Sequence, residues 1–239
     1  MMKKNRLHER FPRKYKMNVL VIAAHPDDET IGCGGTIVKH VNAGDAVYAC
    51  IIAEGCSARY YDEQLEFKEN KELGPIDEFI EQRKQRAKEA AKILGLKKIF
   101  QHDLPNQRLD SIPILQINKI IEKHVNEIRP DIVYIHTNHD TNKDHRVVHE
   151  ASLVACRKVK NIIAFEIIYS TNNEFKPNLY VDINHVYPQK QQALKCYDGE
   201  IKVHSYVRTY YGIRALAMAR AANINLKKVE AFEVIKMIL

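Results

Sequence analysis

No two cysteines in this chain are spaced Cys-x-x-Cys, no apolar run approaches the roughly 20 residues a bilayer span needs, and no repeat, low-complexity tract or composition break marks a linker. The first absence, with an odd set of cysteines (Cys33, Cys50, Cys56, Cys156, Cys196), argues against a disulfide framework and against a thiolate zinc site. It points to a reducing, cytoplasmic compartment. The second absence excludes a membrane span. Met17–Ala24 is too short for one, and it runs into His25-Pro26-Asp27-Asp28-Glu29 instead of a small-residue cleavage site, so it does not read as a secretory signal. The third leaves one domain as the simpler division of 239 residues. Forty-five per cent hydrophobic residues suffice for a substantial core.

The net charge of +7 suggests nucleic acid until it is located. Residues 1–16 carry Lys3, Lys4, Arg6, Arg10, Arg13, Lys14 and Lys16 against Glu9 alone, which leaves the rest of the chain close to neutral. We therefore read residues 1–16 as a basic, poorly ordered tail and residues 17–239 as the folded domain, with no specific nucleic-acid partner. A nucleic-acid binder working through the tail would instead show steeply salt-dependent binding that vanishes on its deletion.

Along the domain, strand-like and helical patterns alternate. Met17–Ala24 and Asp45–Ala53 read as strands, with a helical stretch from Thr36 to Val41 between them that ends near Gly44. Residues 54–77 read as a long loop or lid with some helix. Helical spacing over 78–94 stops at Gly95, a short strand covers 97–101, and a helix covers 112–128. Asp131–Ile135 is a strand entered from Pro130, residues 146–157 are helical, and 162–169 is again strand-like; short strands and helices alternate over the last seventy residues. This order predicts an α/β fold: a Rossmann-like, doubly wound, mostly parallel sheet with helices on both faces.

Ligands of such sheets sit outside the carboxyl ends of the strands, and both dense polar clusters follow a strand. They are His25-Pro26-Asp27-Asp28-Glu29-Thr30 and the run from His136 through His139 and Asn142 to Lys143-Asp144-His145. A histidine and an aspartate three residues apart in the first loop, with His145 from the second, have the chemistry of a catalytic zinc site with one position left for water. A neighbouring carboxylate is then sufficient as a base. The plainer alternative is that the acids of the first cluster merely cap a helix. Gly32-Cys33-Gly34-Gly35 is a poor phosphate-binding turn, because three acidic residues precede it; we expect these glycines to let a helix pack closely on the sheet.

Val19–Ile37 (VLVIAAHPDDETIGCGGTI) resembles the amino-terminal signature of the LmbE/PIG-L zinc deacetylases. Asp144-His145-Arg146-Val147-Val148 resembles their second motif, and Leu94-Gly95, Leu104–Asp110 and Glu230-Ala231-Phe232 lie where members often have similar runs. The resemblance implies that His25, Asp28 and His145 bind Zn²⁺, or another divalent transition metal such as Fe²⁺. It also implies that Asp27 is the general base and that Asp144 orients an imidazole. Many members have a histidine where this chain has Asn142, as oxyanion stabiliser or proton donor to the leaving amine. An asparagine amide can stabilise an oxyanion but donates no proton near neutral pH. The acid is then sought in His139, with His136 and Lys143 also weighed, and His149 as a further helix-spaced neighbour of His145. Arg59, Arg83 and Arg108 are candidates for bordering a sugar or phosphate pocket.

The implied activity is removal of an N-acetyl group from an amino sugar or its conjugate, in a protein that could form homo-oligomers. The alternatives are an amidase of the same chemistry acting on a larger acyl or thiol-conjugate amide, and a non-catalytic phosphate- or nucleotide-binding α/β module.

Overall fold

The apolar run after the basic tail forms β1 (Asn18–Ala23), fully buried from Val19 onward, as expected of a strand covered on both faces. The computed structural model describes residues 15–58, 76–198 and 209–238; all but two residues of the basic tail, and most of the lid segment, lie outside them. After β1 come α1 (Asp28–Asn42), β2 (Ala46–Ala53), α2 (Ile76–Leu94), β3 (Lys98–Leu104) and a 3-10 turn at Leu109–Ser111. Then follow α3 (Ile114–Ile128), β4 (Ile132–His136), α4 (Lys143–Ala155), β5 (Asn161–Phe165), β6 (Leu179–Asp182), α5 (Tyr187–Leu194), α6 (Tyr210–Ala222) and β7 (Val229–Lys236).

The seven strands lie in the order β3-β2-β1-β4-β5-β7-β6. All pairings from β3 to β5 are parallel, whereas β7 runs antiparallel to both β5 and β6. The sheet is thus doubly wound and mostly parallel, as the alternation predicted, with a mixed edge. Period-two alternation divides the core between its faces. Val19 and Val21 pack with Ile37, Ala90, Leu94 and Leu194 from α1, α2 and α5. Leu20 and Ile22 pack with Ile117, Ile121, Val148 and Ala151 from α3 and α4.

The chief departure from the pattern is the start of α1. Glycine is a poor helix former, and the pattern placed the glycine run before the helix; the helix begins at Asp28 and contains it. Tertiary contacts override the propensity. A Cβ on Gly32 would stand 2.4 Å from Phe165 Cδ2, and one on Gly35 would stand 2.6 Å from Ile183 Cγ2. The glycines are what lets α1 lie against the sheet, the packing role expected of them. Side chains from far along the chain also tie its middle. Lys190 Nζ donates to the Ile31 carbonyl at 2.7 Å and to Glu230 Oε1 at 2.6 Å. The Gly35 and Thr36 amides donate to the two Glu230 oxygens at 2.8 and 2.7 Å.

Candidate active site

The winding of the sheet reverses between β1 and β4, so their carboxyl ends open the crevice where ligands bind in doubly wound folds. The loop after β1 turns back on itself because the His25 amide donates to Asp28 Oδ2 at 2.9 Å. The loop after β4 is tied down by the Thr141 amide, which donates to the Ser170 carbonyl, and by the Asn142 side chain, which caps α4 through the Asp144 amide at 2.9 Å.

These two turns bring the ligand atoms of His25, Asp28 and His145 within 4.8 Å of one another, all buried. His25 Nδ1 and His145 Nε2 each lie 3.3 Å from Asp28 Oδ2. Behind them, His25 Nε2 meets Asp144 Oδ2 at 2.9 Å and His145 Nδ1 meets Asp140 Oδ2 at 2.9 Å. A carboxylate can only accept. The ring protons therefore sit on the outer nitrogens, which leaves His25 Nδ1 and His145 Nε2, the nitrogens that face Asp28, to give a lone pair to an ion or, without one, to take up a second proton. This is the carboxylate–imidazole backing that fixes metal-binding tautomers. Asp28 Oδ1 and His145 Nε2 are buried without a hydrogen-bond partner. Two imidazole nitrogens and a carboxylate, with orphaned donor atoms converging, fit a divalent transition ion with room for further ligands.

The electrostatics are those of a cation site. Burial opposes charge on His145, but Asp28 and Asp140 raise it to about 10. Burial likewise opposes ionisation of Asp28, yet His145, His136 and His25 hold its carboxyl well below the usual range. His25 is raised against its burial by Asp144 and Asp28. In the metal-free chain a proton on His145 thus supplies the positive charge that these carboxylates demand.

Asp27 stands between the two ligands of the first loop, buried, with φ 113°. It occupies the N-cap position of α1, but its side chain makes no capping bond there. Left-handed backbone at a non-glycine residue costs on the order of 1–3 kcal/mol. Arg83 holds the turn by donating to the Pro26 carbonyl at 2.9 Å, with Nη2 3.7 Å from Asp27 Oδ2. Glu29 accepts the Asp27 amide at 3.1 Å; its carboxyl is pushed up to about 7 by burial, against hydrogen bonds from Thr30 and Tyr197.

The remaining sequence-derived candidates lie as follows. Asp144 orients His25 and also accepts the Gln107 and Leu109 amides at 2.7 and 3.1 Å. That explains the second motif's link to the Leu104–Asp110 run. Asn142 commits its Oδ1 to the helix cap. His139 is half-buried, with Nδ1 3.4 Å from Glu174 Oε2. His136 is fully buried and stacked on His145 at 4.1 Å; its Nε2 accepts the Ala24 amide, and burial lowers it to about 4. His149, whose place on a helix flank suggested a surface group, is buried, with Nδ1 2.7 Å from the His136 carbonyl oxygen. Arg83 is a buried brace of the first loop, Arg108 is exposed, and Arg59 lies outside the described residues.

Two residues that the motifs did not single out have definite work. Asp140, five residues before His145, holds that imidazole and accepts the Ser170 hydroxyl and the Asn142 amide. Its signal was an aspartate in the turn before a helix. Glu54 collects the Cys56, Ser57 and Asn106 amides and so fixes the loop that Asp144 holds from the other side.

The family PIG-L, GlcNAc-PI de-N-acetylase, matches residues 20–156, a span that includes every residue of the candidate metal set. The chain belongs to this family. As a PIG-L member it is a hydrolase of the amide-cleaving, deacetylase kind. It is 29% identical over 189 residues to the uncharacterized deacetylase YaiS of Escherichia coli, covering 75% of this chain and 90% of that protein. It is 27% identical over 228 residues to the diacetylchitobiose deacetylase of Thermococcus kodakarensis, covering 81% and 77% respectively. The solved N,N'-diacetylchitobiose deacetylase of Pyrococcus horikoshii superposes with a TM-score of 0.75 at 22% identity, covering 94% of this chain and 85% of that one. That likeness supports the PIG-L fold as described.

Proposed function

We propose that this PIG-L protein is a zinc-dependent N-deacetylase of an N-acetylated amino sugar or its conjugate. The observation that carries the reading is the buried His25–Asp28–His145 set, each imidazole backed by its own carboxylate, with Asp27 between the two ligands of the first loop. The relatives named for acetylated amino sugars, the diacetylchitobiose deacetylases and the probable N-acetyl-alpha-D-glucosaminyl L-malate deacetylase 2 of Bacillus anthracis, supply the substrate class. A divalent ion bound by that set would supply Lewis-acid polarisation of the amide carbonyl and a water acidified to about pKa 7. The chain does the rest. His25, Asp28 and His145 hold the ion, and Asp27, aimed by its left-handed backbone, accepts the proton of the attacking water. Asn142 Nδ2 is the amide donor left for an oxyanion once Oδ1 has capped the helix. The proton for the leaving amine comes from His139 or returns from Asp27.

The test is amine release by the zinc-loaded protein from N-acetylglucosamine, N,N'-diacetylchitobiose and N-acetylglucosaminyl malate. Turnover of at least one is expected, and Asp27→Asn should cut it by roughly 10²-fold or more while retaining metal. Asp28→Asn should lose metal instead. Turnover confined to larger acyl amides, or the two variant phenotypes exchanged, would overturn the reading.

A further inference from the structure

On the far side of β2 from the active-site loops lies a second group of soft donors. Cys50 projects from β2, His102 from the edge strand β3, and His124 from α3; one donor atom of each lies within 4.8 Å of the other two. Register explains the convergence. Cys50 pairs with Phe100, and His102, two residues on, shares the face of Phe100. His124 falls in the buried stripe Ile117, Ile121, His124, Ile128, directly above that strand face.

Packing alone does not account for this trio. An aliphatic side chain would fill the His124 position as its stripe neighbours do. The two rings instead meet Nε2 to Nε2 at 2.8 Å, so one must donate and the other accept. His124 Nδ1 is left buried with no hydrogen-bond partner, a standing cost for a neutral side chain. Its ring lies on Phe100, with centroids 4.1 Å apart, and is only 4% exposed.

We infer that Cys50, His102 and His124 form a second metal site, distinct from the catalytic set, that takes a thiophilic transition ion of the Zn²⁺ or Cu⁺ class. One thiolate and two imidazoles are the donors such ions select. On binding, the donor ring loses the proton between the two Nε2 atoms to solvent and takes one up on Nδ1, and the Cys50 thiol gives up its proton to solvent, so two neutral imidazoles and a thiolate meet the ion. Tetrahedral bonds of about 2.0–2.1 Å set two nitrogens roughly 3.3 Å apart, so the rings need only part by about half an ångström. Glu127 Oε2, 4.0 Å from His124 Nδ1, is placed to accept a hydrogen bond from the N–H left on that nitrogen as the ring turns. Half-buried His102 borders a surface groove lined by Pro113, Leu115, Gln116, Lys119 and Lys123, which gives an ion its way in. Burial holds His124 down at about 4 and lowers His102 as well, so both rings are already in the neutral, ligating form. Burial also pushes the Cys50 thiol up, and Lys98 and Lys123 lie close by.

The test is a titration of the metal-stripped, full-length protein with Zn²⁺, and in parallel with Co²⁺. Wild type should take up about two ions per chain, the second with a near-ultraviolet sulfur-to-cobalt charge-transfer band. Cys50→Ala should bind about one ion without that band, and His145→Ala about one ion with the band retained. His102→Gln, at a half-buried edge position, should weaken the second site by tenfold or more and serves if Cys50→Ala misfolds. Uptake of a single ion by wild type, or a second ion that survives both Cys50→Ala and His102→Gln unchanged, would overturn the assignment.

Discussion

Replacing Asp144 separates two jobs that one carboxylate performs. Oδ2 accepts the His25 ring proton at 2.9 Å and the Gln107 amide at 2.7 Å, while Oδ1 accepts the Leu109 amide at 3.1 Å. In Asp144→Asn the amide oxygen can keep the place of Oδ2, with both its partners. The NH₂ then faces the Leu109 amide, donor against donor, which costs about 1–3 kcal/mol for one buried group left unsatisfied. Asp144→Ala removes both acceptor oxygens and with them all three hydrogen bonds. Hydrogen bonds to a charged group contribute about 1.5–3 kcal/mol each. Gln107 is exposed, so water can replace its partner, and about 3–6 kcal/mol remains. The catalytic consequence differs too. The alanine variant frees the His25 ring to adopt the other tautomer, the kind of loss that weakens metal affinity by about 10–100-fold; the asparagine variant keeps the oxygen that fixes it. Urea denaturation of the metal-free proteins and competition with a chromophoric chelator for zinc measure the two effects. Equal zinc affinity in Asp144→Ala and wild type would refute the orienting role. An equal stability loss in the two variants would refute the assignment of acceptors.

Three further outcomes follow from the same geometry. Asn142→Asp keeps an oxygen on the Asp144 amide but removes the NH₂, whereas Asn142→Ala loses about 0.5–2 kcal/mol of cap; if Asn142 stabilises an oxyanion, kcat falls in both, and full turnover in the aspartate variant would make it a cap alone. Gly32→Ala drives a methyl to 2.4 Å from Phe165; overpacking near the top of its usual 1–3 kcal/mol outweighs the roughly 1 kcal/mol of helix propensity gained, so a net loss of about 2 kcal/mol is expected in chemical denaturation, and a stabilised variant would contradict the packing account. Since His145 is raised from 6.5 to about 10 in the folded, metal-free chain, its contribution to stability is complete below pH 6.5 and is lost as pH rises towards 10. Zinc takes the place of that proton, so melting curves of the metal-free and zinc-loaded protein should diverge over this window, and parallel curves would count against the coupling.

What the sequence made legible was whatever depends on local chemistry at a strand end. The β-branched run of β1 and the two polar loops identified the crevice, and the donor types in those loops, with the family resemblance, marked His25, Asp28 and His145 as the candidate ligands that the fold brings together. The N-terminal half of α1 was not legible, because its glycines oppose helix locally and are overruled by Phe165, Ile183 and Glu230, contacts set by residues more than a hundred positions away. Asp140 was missed for a related reason. An aspartate before a helix looks like a cap, and only the fold shows that its second oxygen faces His145. The antiparallel β7 carries no sign of its direction in its own residues; pairing with both β5 and β6 decides it.

The candidate metal ligands all lie within the first 145 residues, yet the helix that opens with Asp28 is stitched by Lys190 and Glu230. A chain cut soon after the family's segment, at residue 156, would retain every group of the proposed chemistry. It would nonetheless leave two amides and a carbonyl of α1 without these partners, and remove the Ile183 wall against Gly35. The first motif therefore depends on a buried lysine–glutamate pair, Tyr197 and the Phe165 and Ile183 walls from beyond that segment, and grafting the two motifs onto a shorter scaffold would transfer the donors without these supports.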